Sequence, residues 1–412
     1  MKKRSIPVAV VALTALLASC GGSTAWDAKK AFSDKELNYC LLIGQIDHND
    51  SAARTGGIRS ALKTRGTVGT NANTETPVDG KLTLNGTEYS VKELAHQESK
   101  NTSGATWDAQ TATTITQGWF NKFSDKIDFI VSNNDGMAEG AVAASNYIAG
   151  TPIFGYDSNS TTLTAIKNGT VMGTVNQNAP AQAAGILMLA RNIMDGVENP
   201  IEAGFTKAGD YGKISSAFTY NSESHAYLVD NFAITKDNVD TYLNKAAADL
   251  VDKGVTKKAD GVKKNVFLNY YNSADTFLNS TMKPLFTAYA DTFNMTLDQS
   301  VAGDGNSDSS VLDKMVKTYD AYIINTVKTT AASAYLDKIA TLEGLKTGDK
   351  CTKPVIFYNR QATDAQNNVD TAVMNDSRFA NIHYVGFDAV QGGEVQGKMI
   401  VDFLAAQEKL AK

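Results

Sequence analysis

Short apolar runs alternate with helix-like segments along most of this 412-residue chain, and this alternation constrains the fold more than any other feature. In the first part of the chain, apolar runs lie at 37–45, 126–135, 151–157 and 170–175. Apolar runs joined by helical segments are typical of a parallel sheet with helices on both faces. Right-handed crossovers then place the C-terminal ends of the strands at one edge of that sheet.

The same alternation begins again in the second part, with apolar runs at 263–272, 320–326, 353–360 and 382–389. The pattern therefore predicts an α/β protein with two Rossmann-like parallel-sheet lobes. Helices are predicted between the strands at Ser51–Thr64, Gly136–Gly150, Thr161–Asn168, Ala179–Met194, Phe277–Phe293 and Ala331–Leu342.

Two hairpins interrupt this alternation. One is predicted at 81–91, inside the inserted segment 66–103, where Asn85-Gly86 is a strong two-residue turn. The other is predicted at 211–233. The polar, Lys-rich segment 249–264 is predicted to connect the two α/β units.

The N-terminus is typical of an exported protein. A positive segment, Lys2 to Arg4, precedes an apolar run from Ile6 to Leu17 that is too short to span a bilayer. The following LASC resembles a bacterial lipobox, which implies cleavage after residue 19, a lipid on Cys20 and a membrane-anchored protein. The alternative is a plain signal peptide with a chance cysteine. Residues 20–36 are small and polar, and we expect a flexible tether.

Composition excludes several classes of function. The formal net charge of −5 is spread along the sequence and gives no basic surface for nucleic acid. Beyond Cys20, only Cys40 and Cys351 remain, so no disulfide framework is expected, and Cys40 reads as a buried thiol. The four histidines and two thiols are not spaced as a structural zinc site.

Polar side chains follow the ends of most predicted strands in both units. Ligands of open α/β sheets bind outside these strand ends. Any single Asp or Asn there is more often a turn former or a helix cap than a ligand contact, so only the joint pattern favours a site. Carboxylates, amides and an arginine fork suit a ligand with neighbouring hydroxyl groups. The apolar face of a sugar ring would need an aromatic platform, for which Trp107 and Phe277 are candidates.

At this point the chain resembles a known family. GQIDHNDSAART, TWDAQ, IDFIVSNNDGMAEGAV, TPIFGYD and AIKNGTVMGTV look like the C-terminal domain of the galactose/glucose-binding proteins of bacterial ABC sugar importers. NYYNSADTF, DAYIINT, PVIFYNR and HYVGFDA with GGEVQGK look like the N-terminal domain of the same family. The order of the domains is reversed, so the resemblance implies a circularly permuted periplasmic binding protein of type I.

The resemblance also implies a set of sugar contacts. In this sequence they fall on His48, Asp50, Arg54, Trp107, Asn134, Asp157, Gln177, Asp275, Phe277 and Asn325. At one position the family has Asn, and here either Asn176 or Gln177 could serve. The family's calcium loop falls where the permutation cuts it, so Asp128 lacks a partner loop. Asp304, Asn306 and Asp308 are only loosely spaced like an EF-hand, and no calcium or other cofactor is expected.

The resemblance implies two lobes that close on a sugar. The first lobe would comprise 37–178, 233–250 and 388–412, the second lobe 179–232 and 264–387, and the connector 251–263. A monosaccharide, D-glucose or D-galactose, would lie between Trp107 and Phe277, and a monomeric protein in the cell envelope would deliver it to an ABC permease.

Two other functions stay open. A sugar sensor that signals to a chemoreceptor would read the same closed lobes. A glycoside hydrolase would use a pair from Asp50, Asp157 and Asp275, although Arg54 is expected to lower the pKa of Asp50 and so disfavour an acid catalyst.

Overall fold

The computed structural model describes residues 26–67, 71–197, 211–257, 261–272, 275–302 and 307–412. The predicted signal peptide, the predicted lipidation site Cys20 and the start of the predicted tether lie outside the described residues, as do Asp304 and Asn306. Within the described part of the chain, no helix is both long enough and apolar enough to cross a membrane.

The strands occupy short, mostly apolar segments. They are β1 (Glu36–Ile43), β2 (Gly80–Leu84), β3 (Thr87–Glu98), β4 (Phe129–Ser132), β5 (Ile153–Phe154), β6 (Gly173–Asn176), β7 (Phe218–Asn221), β8 (Ala226–Val229), β9 (Phe232–Thr235), β10 (Lys264–Tyr270), β11 (Met295–Val301), β12 (Ala321–Ile324), β13 (Val355–Tyr358) and β14 (Ile382–Phe387). The central strands β4, β12 and β13 are buried at every residue, which is why they read as unbroken apolar runs.

The helices lie between these strands. They are α1 (Ala28–Ala31), α2 (Asn49–Leu62), α3 (Ala109–Phe123), α4 (Asp135–Val142), α5 (Ser160–Asn168), α6 (Ala179–Met194), α7 (Ala247–Leu250), α8 (Lys283–Ala290), α9 (Asp308–Leu312), α10 (Ala332–Leu342), α11 (Thr371–Met374) and α12 (Ala389–Ala411).

The strands form two sheets. The first has the order β2-β3-β1-β4-β5-β6-β9 and the second the order β11-β10-β12-β13-β14-β8-β7. Pairing is parallel except in β2–β3, β6–β9 and β7–β8. The predicted α/β architecture with two sheets is therefore confirmed, and so is the hairpin at 81–91. The second hairpin is formed by β7 and β8, but the run predicted as its second strand is broken at residues 230–231, and its last part belongs to β9 of the first sheet. Strand β11 was not predicted, because an edge strand with alternating exposure gives no apolar run. We call each sheet with its helices the first and the second lobe.

The chain crosses between the lobes three times. The first crossing joins β6 to α6, which packs on β12, β13 and β14 of the second sheet. The second joins β8 to β9 at residues 230–231. The third is Asp388, between β14 and α12, which packs on α2, β6 and β9 of the first sheet. The exact residue bounds of the two lobes stay a prediction.

Helices α2 and α12 approach each other closely because glycines line their contact. A Cβ on Gly57 would lie 2.1 Å from the carbonyl carbon of Gly393, and one on Gly397 would lie 2.7 Å from the carbonyl oxygen of Gly57. A larger side chain at these positions would force the helices apart. This contact fixes α2, whose first turns carry His48, Asp50 and Arg54.

Three predicted segments differ in the structure. The prediction of a flexible tether is wrong for the last part of that segment. The backbone N–H of Trp26 donates to the backbone oxygen of Ala149 at 2.9 Å, and Ala31 and Phe32 are buried. Residues 26–35 are thus packed against the first lobe. The apolar face of this short segment, with Phe32 edge-on to Tyr89, was hidden among polar residues.

The predicted helix 136–150 ends at Val142. Beyond it, the side chains of Ser145 and Asn146 form hydrogen bonds with Gln117 of α3, which compete with continuation of the helix. The predicted helix 277–293 begins with a π-helical turn at Leu278–Met282 before α8. Pro284 explains this turn, because it cannot donate the backbone hydrogen bond that an α-helix needs.

The inserted hairpin forms one edge of the first sheet. Strand β3 pairs parallel with β1 along its length, and β2 covers its outer edge. A fully buried ion pair between Arg59 of α2 and Glu93 of β3 holds the insertion to the lobe. The insertion therefore supports the helix that carries part of the candidate site.

Candidate functional site

Nine of the ten predicted ligand residues line one cavity between the two lobes. The lining comprises His48, Asp50, Arg54, Trp107, Asn134, Asp157, Gln177, Tyr271, Asp275, Phe277, Asn359 and Arg360. Its volume is only about 40 Å³, which is room for about three water molecules at ~10–15 Å³ each. The lobes are therefore closed upon the site.

His48 precedes α2 and caps it. Its Nδ1 accepts a hydrogen bond from the backbone N–H of Asp50 at 3.1 Å. Burial lowers the pKa of His48 well below its usual value, and Arg360 and Arg54 lower it further. The ring is then neutral, and since Nδ1 accepts, its proton lies on Nε2. His48 is thus a hydrogen-bond donor toward a ligand.

Arg54 lies one turn further along α2 and is almost completely buried. Its Nη1 donates to the backbone oxygen of Asn133 at 2.7 Å and lies 3.5 Å from Oδ1 of Asp157. Its guanidinium carbon stands 3.6 Å from the ring centroid of Tyr156, a cation–π contact. Its Nε is buried without an acceptor among the described residues. Arg54 is therefore fixed in place with donor capacity left over.

The positive charge of Arg54 acts on two buried carboxyl groups, those of Asp50 and Asp157. Burial raises the pKa of Asp50 to about 6, although Arg54 and Arg360 oppose the shift. Burial raises the pKa of Asp157 to about 7; Arg54 opposes this shift, and Asp275 from the other lobe adds to it. Arg54 lowers the pKa of Asp50 as expected, but desolvation outweighs this effect, so the expectation of a lowered pKa for Asp50 is wrong.

Gln177, and not Asn176, faces the cavity. Its Nε2 donates to Oδ1 of Asp157. Asn176 points away and bonds to Ser158 and to the backbone of Asn178. The two choices that the sequence left open are therefore separated by the strand alternation at the end of β6.

Trp107 reaches the cavity because Gly44 leaves room for it. A Cβ on Gly44 would lie 2.1 Å from the Trp107 ring. The backbone of Trp107 has a φ of 60° and that of Asp157 a φ of 118°, both unfavourable for residues with a side chain. Strained residues of this kind cluster at ligand sites, where the surrounding structure holds them in place.

The side chains of Asn133, Asn134 and Asp135 have different roles. The Asn133 side chain accepts from Gly44 and Ser51, and the Asp135 carboxylate accepts from other groups inside the lobe. Asn134 caps α4, because its side-chain oxygen accepts a hydrogen bond from the Met137 N–H at 2.9 Å. Its amide also lines the cavity, and one residue combines the structural role with the predicted one.

The second lobe supplies a matching set. Arg360 places its guanidinium carbon 3.6 Å from the ring centroid of Tyr271. The Tyr271 hydroxyl donates to Oδ2 of Asp275, and Oδ1 of Asp275 accepts from the Leu278 N–H at 2.8 Å. Phe277 begins the helical turn that follows and lies on the cavity wall.

Asn325 does not line the cavity. It is fully buried below the strand ends, and its amide lies near the Tyr358 hydroxyl without meeting hydrogen-bond geometry. Asn359 occupies the wall instead, one strand further along the second lobe. Asn359 and Arg360 follow a strand end and belong to the general polar pattern, whereas nothing in the sequence marks Tyr271.

No group of three or more metal-binding side chains occurs among the described residues. Asp128 lies in a separate surface cavity beside the N-terminal segment, where burial raises its pKa to about 7. Cys40 and Cys351 are both buried free thiols and lie outside the candidate site.

Sequence comparison identifies related domains. Residues 8–198 match one family described as a periplasmic binding protein domain, and residues 263–332 match a second family of the same description. Over 176 residues the chain is 26% identical to the D-galactose/methyl-galactoside binding periplasmic protein MglB of Haemophilus influenzae, covering 42% of this chain and 45% of that protein. Over 94 residues it is 32% identical to a xylitol-binding protein of Mycolicibacterium smegmatis, covering 22% and 27%. The chain thus spans less than half the length of the curated relatives that it matches.

Among solved structures, one similar chain is an ABC transporter periplasmic solute binding protein from Actinobacillus succinogenes with bound D-allose. It is 23% identical, with a TM-score of 0.34, and the match covers 52% of this chain and 59% of that chain. Two stretches of the chain thus match models described as periplasmic binding protein domains, and the structure has two separate sheets of mainly parallel strands.

Proposed function

We propose that this protein binds a monosaccharide, D-glucose or D-galactose, between its lobes and delivers it to an ABC importer. The observation that carries the proposal is the cavity itself, to which both lobes contribute hydrogen-bonding side chains and aromatic rings. The matches to periplasmic binding protein domains support the same reading. The named relative that binds D-galactose is one reason for testing this sugar first.

The unpaired groups around the cavity suit a polyhydroxyl ligand. No described residue donates a hydrogen bond to the Asp50 carboxylate. Arg54 Nε lacks an acceptor, and Gln177 Oε1 lacks a donor. A sugar hydroxyl both donates and accepts, so a ring with several hydroxyls can satisfy all of these groups. Buried polar groups without partners are costly, and their pairing would favour binding.

Binding would proceed by closure of the lobes. The cavity is too small to admit a hexose while the lobes stand as they do, so a sugar would enter an open form. Contacts from both lobes would then make the closed form the better binder and shift the population toward it. Trp107 and Phe277, one from each lobe, would cover the two faces of the ring.

Calorimetric titration of the chain from residue 21 onward with D-glucose, D-galactose, ribose and a disaccharide tests this proposal. Copurified sugar is removed first by unfolding and refolding, and EDTA is present. We expect one-to-one binding of a hexose, and the ratio of the two affinities names the substrate. Binding that survives EDTA agrees with a site that needs no calcium. Absence of heat with every monosaccharide would contradict the proposal.

A hydrolase is the weaker alternative. The raised pKa of Asp50 meets one requirement of an acid catalyst. However, the Arg54 guanidinium lies 3.5 Å from the Asp157 carboxylate, and the relatives named above are binding proteins. Release of nitrophenol from nitrophenyl glucosides and galactosides would favour the hydrolase, and we expect none. Copurification with a chemoreceptor instead of a permease would favour a sensor.

We also propose that the chain is a circular permutant, tethered by lipid on Cys20. In support, α1 and α12 pack against each other, so a short linker can join them. Linking Lys412 to Trp26 and opening the chain within 251–263 should restore the family order and retain sugar binding. Loss of folding would argue against the permutation. Labelling with radioactive palmitate, compared between the native chain and Cys20→Ser, tests the lipid anchor.

A further inference from the structure

The buried ring of Tyr156 touches both the candidate site and the region where the chain crosses between lobes. It directly precedes Asp157, and its face carries the guanidinium of Arg54 at 3.6 Å from the ring centroid. At its other end, the hydroxyl donates to Oδ1 of Asn231 at 2.8 Å. Asn231 lies between β8 and β9, at the second crossing.

Asn231 is itself tied to the third crossing. Its backbone N–H donates to Oε1 of Gln391 at 2.8 Å, and Gln391 Nε2 donates back to the Asn231 carbonyl at 3.0 Å. Its Nδ2 donates to the carbonyl of Asp388 at 2.7 Å. The backbone of Asp388 also donates to Val229 at 3.1 Å. The second and third crossings are therefore held together by one set of hydrogen bonds, centred on a buried asparagine.

The start of α12 is shaped to admit this contact. A Cβ on Gly392 would lie 2.0 Å from the Tyr156 hydroxyl and 3.0 Å from Nδ2 of Asn231. Only glycine leaves room there for the hydroxyl to reach its acceptor. The helix that follows packs on α2, which carries Arg54. Arg54 is thus connected to the crossings both through Tyr156 and through its own helix.

We propose that Tyr156 and Asn231 are positioning residues that couple the orientation of Arg54 to the relative placement of the lobes. The inference rests on the sugar-binding function proposed above. A change in the angle between the lobes moves residues 231 and 388, whose hydrogen bonds hold the Tyr156 hydroxyl. The ring under Arg54 then shifts with them. Conversely, a ligand that holds Arg54 in place favours the arrangement in which these bonds form.

The test measures the distance between the lobes with spin labels on Thr114→Cys and Ser333→Cys, which are exposed on α3 and α10. The mature chain carries Cys20→Ser, and its two other native thiols are buried. Tyr156→Phe keeps the ring under Arg54 and removes the hydroxyl. We expect a broader distance distribution than in the parent chain without sugar, because one hydrogen bond that favours the closed arrangement is lost. The dissociation constant for D-galactose should rise about fivefold, the factor typical of one hydrogen bond.

Tyr147→Phe is the matched control. Its hydroxyl donates to the backbone of Thr151 at 2.5 Å in the first lobe, remote from the crossings. This variant should leave distances and affinity unchanged, so a purely structural effect of losing a buried hydroxyl is recognised. If the parent chain binds neither D-galactose nor any other monosaccharide, the proposed function fails, and the distances without sugar still decide the inference. Distances in Tyr156→Phe equal to those of the parent would overturn it.

Gln391→Ala provides a second, independent variant if Tyr156→Phe does not fold. It removes the hydrogen bonds between the Gln391 side chain and Asn231, and it leaves the Tyr156–Asn231 and Asn231–Asp388 bonds in place. We expect a broadened distance distribution here as well. An unchanged distribution would overturn the proposed coupling, since Gln391 is the only residue of α12 whose side chain bonds to Asn231 among the described hydrogen bonds.

Discussion

The two lobes line the cavity with similar groups but leave them differently paired. In each lobe an arginine lies 3.6 Å from the centroid of a tyrosine ring: Arg54 on Tyr156 and Arg360 on Tyr271. In the second lobe, both oxygens of the nearby Asp275 already accept hydrogen bonds. In the first lobe, the Asp50 carboxylate has no donor among the described residues, and Arg54 Nε has no acceptor.

This difference suggests that the two lobes contribute unequally to the free energy of binding. In the second lobe the Asp275 carboxylate already has a donor on each oxygen, so little changes at this group on binding. The first lobe holds charged and polar groups that are buried but incompletely paired, and such groups gain most from a hydroxylated ligand. Most of the binding free energy should therefore come from the first lobe.

The largest expected effect tests directly whether the first lobe supplies most of the binding free energy. Arg54→Met removes the cation that opposes the desolvation of both Asp50 and Asp157. Breaking a buried charge pair by removing one partner costs roughly 3–5 kcal/mol, and we expect the affinity for D-galactose to fall at least ~100-fold. The matched variant Arg360→Met should lower the affinity only about tenfold, because the nearby Asp275 carboxylate keeps its donors from Tyr271 and Leu278. Calorimetry and urea unfolding measure both. Equal losses of affinity in the two variants would contradict the unequal contribution of the two lobes.

The pH dependence of stability gives the next effect. Burial raises the pKa of Asp157 to about 7 in the folded state, above its ordinary value of 3.8. The folded state then binds the proton more tightly, so this group's contribution to stability falls as the pH rises from about 4 to 7. The loss is at most ~1.4 kcal/mol for each unit of the shift.

Asp157→Asn removes this titration. The free energy of unfolding of the wild type, minus that of the variant, should decrease between pH 4 and 7 in urea titrations. His48, whose pKa is lowered, acts in the opposite sense, but it is present in both proteins and cancels in the difference. A difference that stays flat across this range would show that Asp157 is not held in a desolvated site.

Two asparagines of the second lobe sharpen the comparison. Asn359 lines the cavity and Asn325 does not. We expect Asn359→Ala to weaken galactose binding about tenfold through the loss of amide hydrogen bonds, and Asn325→Ala to change it less than about twofold. Calorimetric titration of both variants decides which asparagine contacts the ligand. A larger effect at Asn325 would mean that the cavity reaches deeper in the bound state.

The smallest effect separates capping from binding in the first lobe. Asn134→Ala removes the cap of α4 and should lower the free energy of unfolding by ~1 kcal/mol. Asn134→Ser restores a capping oxygen without the amide, so stability should recover while galactose affinity stays about fivefold reduced. Recovery of affinity together with stability would assign Asn134 a structural role alone. Chemical unfolding and calorimetry on the same samples provide both values.

Much of the architecture was predictable because buried strands and packed helices impose different periods on the sequence. The central strands are apolar throughout, and α6 coincides with its predicted range. Weakly patterned elements were missed. Strand β11 alternates in exposure at an edge, and the packed segment after Trp26 presents only a few apolar residues among charges.

The sequence by itself determined which kinds of residues stand at the strand ends, which converge on one edge of a parallel sheet. Its resemblance to a sugar-binding family then singled out nine of the side chains that line the cavity. The tertiary structure alone decided three further points: that Gln177 faces the cavity and Asn176 does not, that Asn359 replaces Asn325, and that burial raises the pKa of Asp50. The physical reason is the same in each case. Side-chain direction and desolvation depend on what packs around a residue in space, and neighbours from distant segments leave no local pattern in the chain.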